Sequence, residues 1–254
     1  MKYPKVSIIT PSLNQGQFIE ETIISVKNQD YPNIEHIVID GGSKDGTIDI
    51  LKKYPHLIWK SQPDKGQSDA LNKGFRMAKG EIIGWLNSDD TYLPKAISTA
   101  VNFFQSNPEY DMVYGDFCKI DGTGKVFERR KQLDFTLLGL KSGLCYICQP
   151  TVFFRKRVFD KMEYLDVNLR HAMDYDLWMR IALNFKVKHI PGFVANFRYH
   201  KDSKTVSEFV SQIQEERLVR NRYWKGDMNF VVDYFLRILR FYYRIRWKLA
   251  TLNL

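Results

Sequence analysis

Two acidic clusters and one histidine carry the residue types from which a reaction could be built. Asn87-Ser88-Asp89-Asp90 sets two carboxylates side by side after an apolar run that reads as a strand. Adjacent carboxylates repel, so a cation or a hydrogen-bond network has to sit with them. Oxygen ligands of this kind suit a hard cation such as Mg²⁺ or Mn²⁺. The same residues also fit a plain structural part, with Ser88 and Asp89 capping the next helix and Asp90 in water. Asp174-Tyr175-Asp176 precedes the helical pattern Leu177-Trp178-Met179-Arg180-Ile181. Carboxylates in a first turn compensate the helix dipole, and one of them could instead accept a proton as a general base. His200, in Tyr199-His200-Lys201 at the end of a strand pattern, is either an ordinary residue or a ligand. Asp64-Lys65-Gly66-Gln67-Ser68-Asp69 enters a helix; it is a simple turn, or a loop where Gly66 lets backbone approach a phosphate at the helix N-terminus.

The elements that must position these groups follow from hydrophobic period. Val6 to Thr10 is a β-branched run ending at Pro11, and His36 to Ile39 is a second, stopped by Asp40-Gly41-Gly42. Leu57 to Lys60 and Glu81 to Leu86 read as further strands. Helical spacing occupies Phe18 to Asn28, Thr47 to Tyr54 (with Ser43 as its expected cap), Ser68 to Ala78 and Ala96 to Gln105. Alternating strands and helices predict a parallel sheet with right-handed crossovers. Ligands of such sheets lie beyond the strand carboxyl ends, and the loops at Pro11 to Asn14, Asp40 to Ser43 and Asn87 to Asp90 all fall there. After Asp111 the pattern changes to short strands at 112–114, 151–154, 187–190 and 194–199, with a helix from Tyr175 to Asn184.

Bulk properties narrow the class. The chain has 254 residues, 44% hydrophobic and 26% charged, which is enough for one large domain with a real core. No run of about 18 uncharged apolar residues exists to span a bilayer, and no signal peptide is apparent, so a cytoplasmic location is expected. Three cysteines (Cys118, Cys145, Cys148) do not make a disulfide framework; Cys145-x-x-Cys148 lacks a second pair at zinc spacing and reads as buried thiols.

The motifs, taken in order, resemble the family 2 inverting glycosyltransferases of the GT-A fold. They are Pro-Ser-Leu-Asn-Gln-Gly (11–16), Val-Ile-Asp-Gly-Gly-Ser-Lys-Asp-Gly-Thr (38–47), Pro-Asp-Lys-Gly-Gln-Ser-Asp-Ala-Leu-Asn-Lys-Gly (63–74), Trp-Leu-Asn-Ser-Asp-Asp (85–90), Gln-Pro-Thr-Val-Phe-Phe (149–154), Met-Asp-Tyr-Asp-Leu-Trp-Met-Arg (173–180) and Arg-Tyr-His (198–200). The resemblance implies an α/β domain with a Rossmann-like mixed sheet and flanking helices over residues 1–224. Residues 1–110 would be its nucleotide-binding half and 111–224 its acceptor-binding half, followed by a C-terminal amphipathic helix within 225–254. It implies transfer of a sugar from a nucleotide-diphosphate donor, UDP favoured, to a sugar or lipid-linked acceptor hydroxyl, in surface polysaccharide or glycolipid assembly. Pro11, Ser12, Asn14, Asp40, Gly41, Asp64, Gly66, Asn72, Asn87, Ser88 and Asp90 would border the donor. Asp89 and His200 would hold Mn²⁺ or Mg²⁺, with Asp90 able to share that part. Asp174 would be the catalytic base, and Gln149, Asp176 and Trp178 would face the acceptor, whose identity side chains between Leu140 and Gln149 would decide. Two positions depart from the family pattern. Asn87 replaces the first Asp of Asp-x-Asp, and Gly41 stands where many relatives carry an Asp that reads uracil.

The net charge is +9, and the last thirty residues hold six basic side chains (Lys225, Arg237, Arg240, Arg244, Arg246, Lys248) against Asp227 and Asp233. Between 230 and 249, Phe230, Tyr234, Ile238, Phe241, Ile245 and Leu249 form a stripe, with Leu239, Tyr242 and Trp247 beside it. Such a helix either lies on an anionic membrane, on the inner face of the cell membrane, or packs on protein. A pI of 9.3 also raises nucleic-acid binding, but acidic loops at the strand ends would repel phosphate in the absence of a metal. A non-catalytic nucleotide-sugar-binding relative is the other alternative, raised by Asn87.

Overall fold

The computed structural model describes residues 3–201, 203–224 and 230–252. The first half alternates β1 (Val6–Ser12), α1 (Ile19–Lys27), β2 (Ile34–Asp40), α2 (Thr47–Lys52), β3 (Ile58–Ser61), α3 (Gln67–Met77), β4 (Ile82–Trp85), β5 (Thr91–Tyr92) and α4 (Ala96–Ser106). The second half runs β6 (Tyr110–Ile120), β7 (Val126–Arg130), α5 (Leu137–Lys141), β8 (Val152–Arg155), α6 (Met173–Asn184), β9 (Lys186–Arg198), α7 (Lys204–Ser207), α8 (Phe209–Arg222) and α9 (Phe230–Leu252). One mixed sheet has the order β3-β2-β1-β4-β8-β6-β9-β5, with β7 paired to β6.

β1 to β4 are parallel, as the alternation requires, and β8 then runs antiparallel between β4 and β6. Every residue of β1 is buried, because helices cover both faces of this part of the sheet. α1 turns Ile19 and Ile23 onto Val38 and Leu51, while α3 lays Ala70, Leu71 and Phe75 on Ile9, Ile37 and Ile39 from the other side. α3 lies so close to the sheet that a Cβ on Gly74 would overlap Ile9. A second part of the core gathers where α6 crosses the middle of the sheet, with Trp178 against Trp85 and Phe154.

Several local expectations change. The short strands at 112–114, 187–190 and 194–199 are parts of two long parallel strands, β6 and β9. Pro191-Gly192 interrupts the apolar pattern but not the strand: Gly192 takes φ +134 and its N–H reaches the Asp116 carboxylate at 3.2 Å, so the pairing continues past an irregularity. Ser43 does not cap a helix. Gly46 precedes α2, and the Ser43 hydroxyl donates to Asp40. α8 carries no clear apolar period in the sequence, because its buried face is narrow, with Val219 fully buried on a largely polar and charged helix.

α9 packs on its own domain along one side. Leu236 and Tyr243 are buried, the Tyr243 hydroxyl meets Thr136 Oγ1 at 2.9 Å, and the Arg240 guanidinium donates to the Ser142 carbonyl. No helix among the described residues is long and apolar enough to cross a membrane. Lys225, Asp227 and the expected boundary after residue 224 lie at or within a stretch outside the described residues, and the side chains of Phe230, Asp233 and Trp247 are likewise not described.

Candidate active site

The carboxyl ends of β1 and β4, the N-termini of α3 and α6, and the end of β9 surround one open cleft of about 650 Å³. Among its lining residues are Pro11, Ser12, Asp64, Gly66, Asn87, Ser88, Asp89, Gln149, Asp174 and His200. Residues as far apart in the chain as Pro11 and His200 thus meet at the place where strand-end loops of a parallel sheet must converge.

Asp89 leaves β4 and His200 leaves β9, and their side chains meet, His200 Nε2 lying 3.1 Å from Asp89 Oδ2. The His200 ring is held by Phe18 beneath it. Asp90 points the other way. It is buried, accepts the Arg198 backbone N–H at 2.9 Å, and is pushed well above the ordinary carboxylate range by burial and by the Asp89 charge. Asp89 is therefore the carboxylate of the pair that faces the cleft. An oxygen and an imidazole nitrogen that already converge fit a divalent cation that takes its remaining ligands from phosphate and water. Among the described residues no third His, Cys, Asp or Glu joins them.

Asp174 stands at the first turn of α6 on another wall of the cleft. Burial, reinforced by the charges of Glu216 and Glu215, raises its carboxyl to about 7, against the opposing hydrogen bond from the Tyr175 N–H. Its approach is fixed from α8: the Glu215 carboxylate accepts the backbone N–H groups of Arg170, His171 and Ala172 at 2.9, 2.5 and 2.6 Å. These are the donors just ahead of the helix, and charge-assisted bonds of this sort are the strong ones.

Asn87 occupies a network in which an amide serves both ways. Its Oδ1 accepts from Trp85 Nε1 and Gln67 Nε2, each at 2.8 Å, while its Nδ2 donates to Gln149 Oε1 at 2.9 Å. Gln149 in turn donates to the Trp85 carbonyl, and Gln67 accepts from Lys204 Nζ at 2.9 Å. A carboxylate at position 87 could not donate to Gln149. The Asn is matched to its neighbours, and the departure from Asp-x-Asp has a local cause.

Seven expected site residues do not line the cleft. Asp40 is buried and takes the N–H groups of Gly42 and Ser43 and the Ser61 hydroxyl, shaping the loop after β2. Asn14 ties that loop to the one after β1, through the Lys44 N–H and Ser43 Oγ. Gly41 abuts Asp64, whose Oδ2 would lie 2.9 Å from any Cβ there. Asp64 thus fills the space that a side chain at 41 would enter. Asn72 clamps the Leu165 backbone with both ends of its amide at 2.9 Å, and Asp90 faces β9 as described. Asp176 is buried against Arg180 at 2.9 Å and the Tyr223 hydroxyl at 2.7 Å. Trp178 is core. The helix period accounts for Asp176, which lies round the other side of α6 from Asp174, while Trp178, one turn on from Asp174, is covered by Trp85 and Phe154.

Other side chains at the site were not singled out from sequence. Arg198 is buried with its guanidinium on the Asp89, Asp121 and Gly122 carbonyls and on Glu21, which straps the Asp89-Asp90 loop to the end of β9. Lys204 and Gln67 border the cleft through the contact already described. Glu216, Gln212 and the segment Cys145 to Gln149 line another stretch of wall. Cys145 and Cys148 are free, and burial pushes both thiols well above their ordinary range, so they are neutral groups.

Residues 7–163 match the model of the Glycosyl transferase family 2. The chain belongs to this family. A glycosyltransferase of Rickettsia typhi is 32% identical over 233 residues, covering 88% of this chain and 71% of that protein. Another, from Rickettsia bellii, is 29% identical over 86% of this family 2 chain, which spans only 35% of that relative's length. Among solved structures, S. aureus TarS 1–349 in complex with UDP-GlcNAc superimposes with a TM-score of 0.72 at 22% identity, over 94% of this chain and 71% of that one. The mannosyltransferase PcManGT from Pyrobaculum calidifontis, in complex with GDP-Man and Mn²⁺, gives a TM-score of 0.69 at 18% identity, over 98% and 74%. At these identities the likeness is one of fold, and the fold is GT-A.

Proposed function

We propose that this family 2 chain is an inverting glycosyltransferase that moves a sugar from a nucleoside-diphosphate donor, UDP favoured, to an acceptor hydroxyl, in the assembly of a surface polysaccharide or glycolipid. The observation that carries this reading is that Asp174, a carboxyl raised to about 7, shares one cleft with the Asp89–His200 pair. A base and a candidate cation pair on one cleft supply the two groups that a single displacement at an anomeric carbon requires.

In this reading residues 1–110 hold the donor and 111–224 the acceptor. Pro11, Ser12, Asp64 and Gly66 border the nucleotide, and Asp64 occupies the space that a side chain at position 41 would enter. Asp89 and His200 hold a Mn²⁺ or Mg²⁺ ion, as the manganese bound by PcManGT suggests for a neighbour in fold. When bound, such an ion stabilises the negative charge of the departing diphosphate. Asp174 Oδ accepts the proton of the acceptor hydroxyl as that oxygen attacks the anomeric carbon from the face opposite the diphosphate. A half-ionised carboxyl near neutrality is matched to that proton transfer. Glu215 orients Asp174 by fixing the three residues before α6, and Arg198 keeps Asp89 turned to the cleft. Gln149 and the side chains from Cys145 to Cys148 shape the acceptor end. One displacement inverts the anomeric configuration, so no carboxylate nucleophile is needed. Proton NMR of the product formed from an α-linked UDP-sugar tests this: a β-linked product is expected, and an α-linked product would overturn the single displacement.

A further inference from the structure

α9 divides into three faces. Leu236 and Tyr243 turn inward onto α5 and its surroundings, with Arg240 reaching the Ser142 carbonyl. On the outside, Tyr234, Phe235, Ile238, Phe241, Tyr242, Ile245 and Leu249 are each between 43% and 65% exposed. At 100° per residue these seven occupy about 120° of arc, a continuous apolar stripe. Arg237, Arg244 and Lys248 follow one edge of the stripe and Arg246 the other, all exposed. From Tyr234 to Leu252 the sequence contains no acidic residue. An apolar stripe this wide on a surface marks a contact site.

We propose that the outer face of α9 docks on the surface of an anionic lipid bilayer. Charge selects this occupant. Basic side chains on both edges of an aromatic and aliphatic stripe match phosphate headgroups above an acyl boundary. They would repel the same edges of a second copy. The helix is not apolar enough to cross a membrane, so it lies in the plane of the interface.

The placement bears on the proposed transfer and on that reading alone rests its second part. α9 holds Ser142, and the chain from Cys145 to Gln149 leads from there into the cleft wall. Glu216, also on that wall, senses the charges of Arg240 and Arg244. A bilayer seated on α9 therefore lies beside the acceptor end of the cleft, which would suit an acceptor carried on a lipid.

The test is sedimentation of the full chain with vesicles of phosphatidylcholine, with and without phosphatidylglycerol. Binding to the anionic vesicles only, weakened by salt, is expected. Arg244→Glu with Lys248→Glu should weaken it by about thirtyfold or more, at roughly tenfold per 1.4 kcal/mol and about 1 kcal/mol per lost basic charge. Phe241→Asp with Ile245→Asp should abolish it; both side chains are exposed, and an unchanged melting temperature would verify folding. A chain that stays in the supernatant with anionic vesicles at low salt overturns the proposal. So does a wild-type dimer, seen by analytical ultracentrifugation, that Phe241→Asp with Ile245→Asp converts to monomer, since a second copy would then own the face. Vesicle binding needs neither donor nor turnover, so its failure is distinct from failure of the glycosyltransferase reading.

Discussion

Replacing Asp174 by Asn should abolish transfer and make the protein more stable at neutral pH. The carboxyl ionises near 7 in the folded protein, against 3.8 ordinarily, chiefly because it is buried. Above pH 4 the unfolded chain carries the charge and the folded chain resists it, so this group lowers native stability increasingly until the pH passes 7. The rise from 3.8 to about 7 corresponds to about 4 kcal/mol at most, which solvent in the open cleft reduces to about 1–2 kcal/mol. Asn is nearly isosteric and uncharged, so Asp174→Asn should raise the melting temperature at pH 8 by about 3–6 °C and change it little at pH 4. Loss of a general base costs about 10²–10⁴-fold in turnover. The assay is release of nucleoside diphosphate from nucleotide sugars, beside melting curves at both pH values. In the unsubstituted protein kcat/KM should rise with pH through about 7, as the base loses its proton. Activity within tenfold of wild type in the variant, or an unchanged melting temperature at pH 8, would refute this account of Asp174.

Two more outcomes follow from the cleft's hydrogen bonds. Asn87→Asp restores the family's usual residue but sets an oxygen against Gln149 Oε1, now 2.9 Å from Nδ2; a loss of about 1–3 kcal/mol is expected in urea unfolding, with no gain in donor affinity by calorimetry. Glu215→Gln weakens the hold on the three N–H groups before α6 and removes a charge that raises the Asp174 carboxyl, so turnover should fall about tenfold while the acidic limb of the pH profile moves to lower pH. A purely structural Glu215 would leave that limb in place.

The parallel half of the fold was legible because its signals are local. Val6 to Thr10 and His36 to Ile39 are β-branched and end at turn residues, and the helices between them carry one apolar face each. Asp89, Asp174 and His200 stand out in the sequence as ionisable groups at element ends, each with a plain structural alternative, and it is the fold that brings the three onto one cleft. Arg198, Glu215 and the Asn87 amide network were not legible. Apart from Trp85, two positions from Asn87, their partners lie between 20 and 177 positions away, and no period in one sequence reports which groups a side chain will meet. Asp40, Asn72 and Asp176 show the reverse: polar residues beside a site that the fold uses to satisfy buried backbone and charge. Asp176 and Trp178 lie close to Asp174 in sequence, but Asp176 is taken up by Arg180 and the Tyr223 hydroxyl and Trp178 by the packing of Trp85 and Phe154.

Nucleotide binding in the cleft is the most direct measure of the proposed activity. Calorimetric titration with UDP, GDP, dTDP and CMP, each with and without manganese, needs no acceptor. Binding of one nucleoside diphosphate, UDP by expectation, strengthened by manganese and lost in Asp89→Ala, is the predicted result. No binding of any nucleotide with the metal present, or manganese-assisted binding that survives Asp89→Ala unchanged, would contradict it.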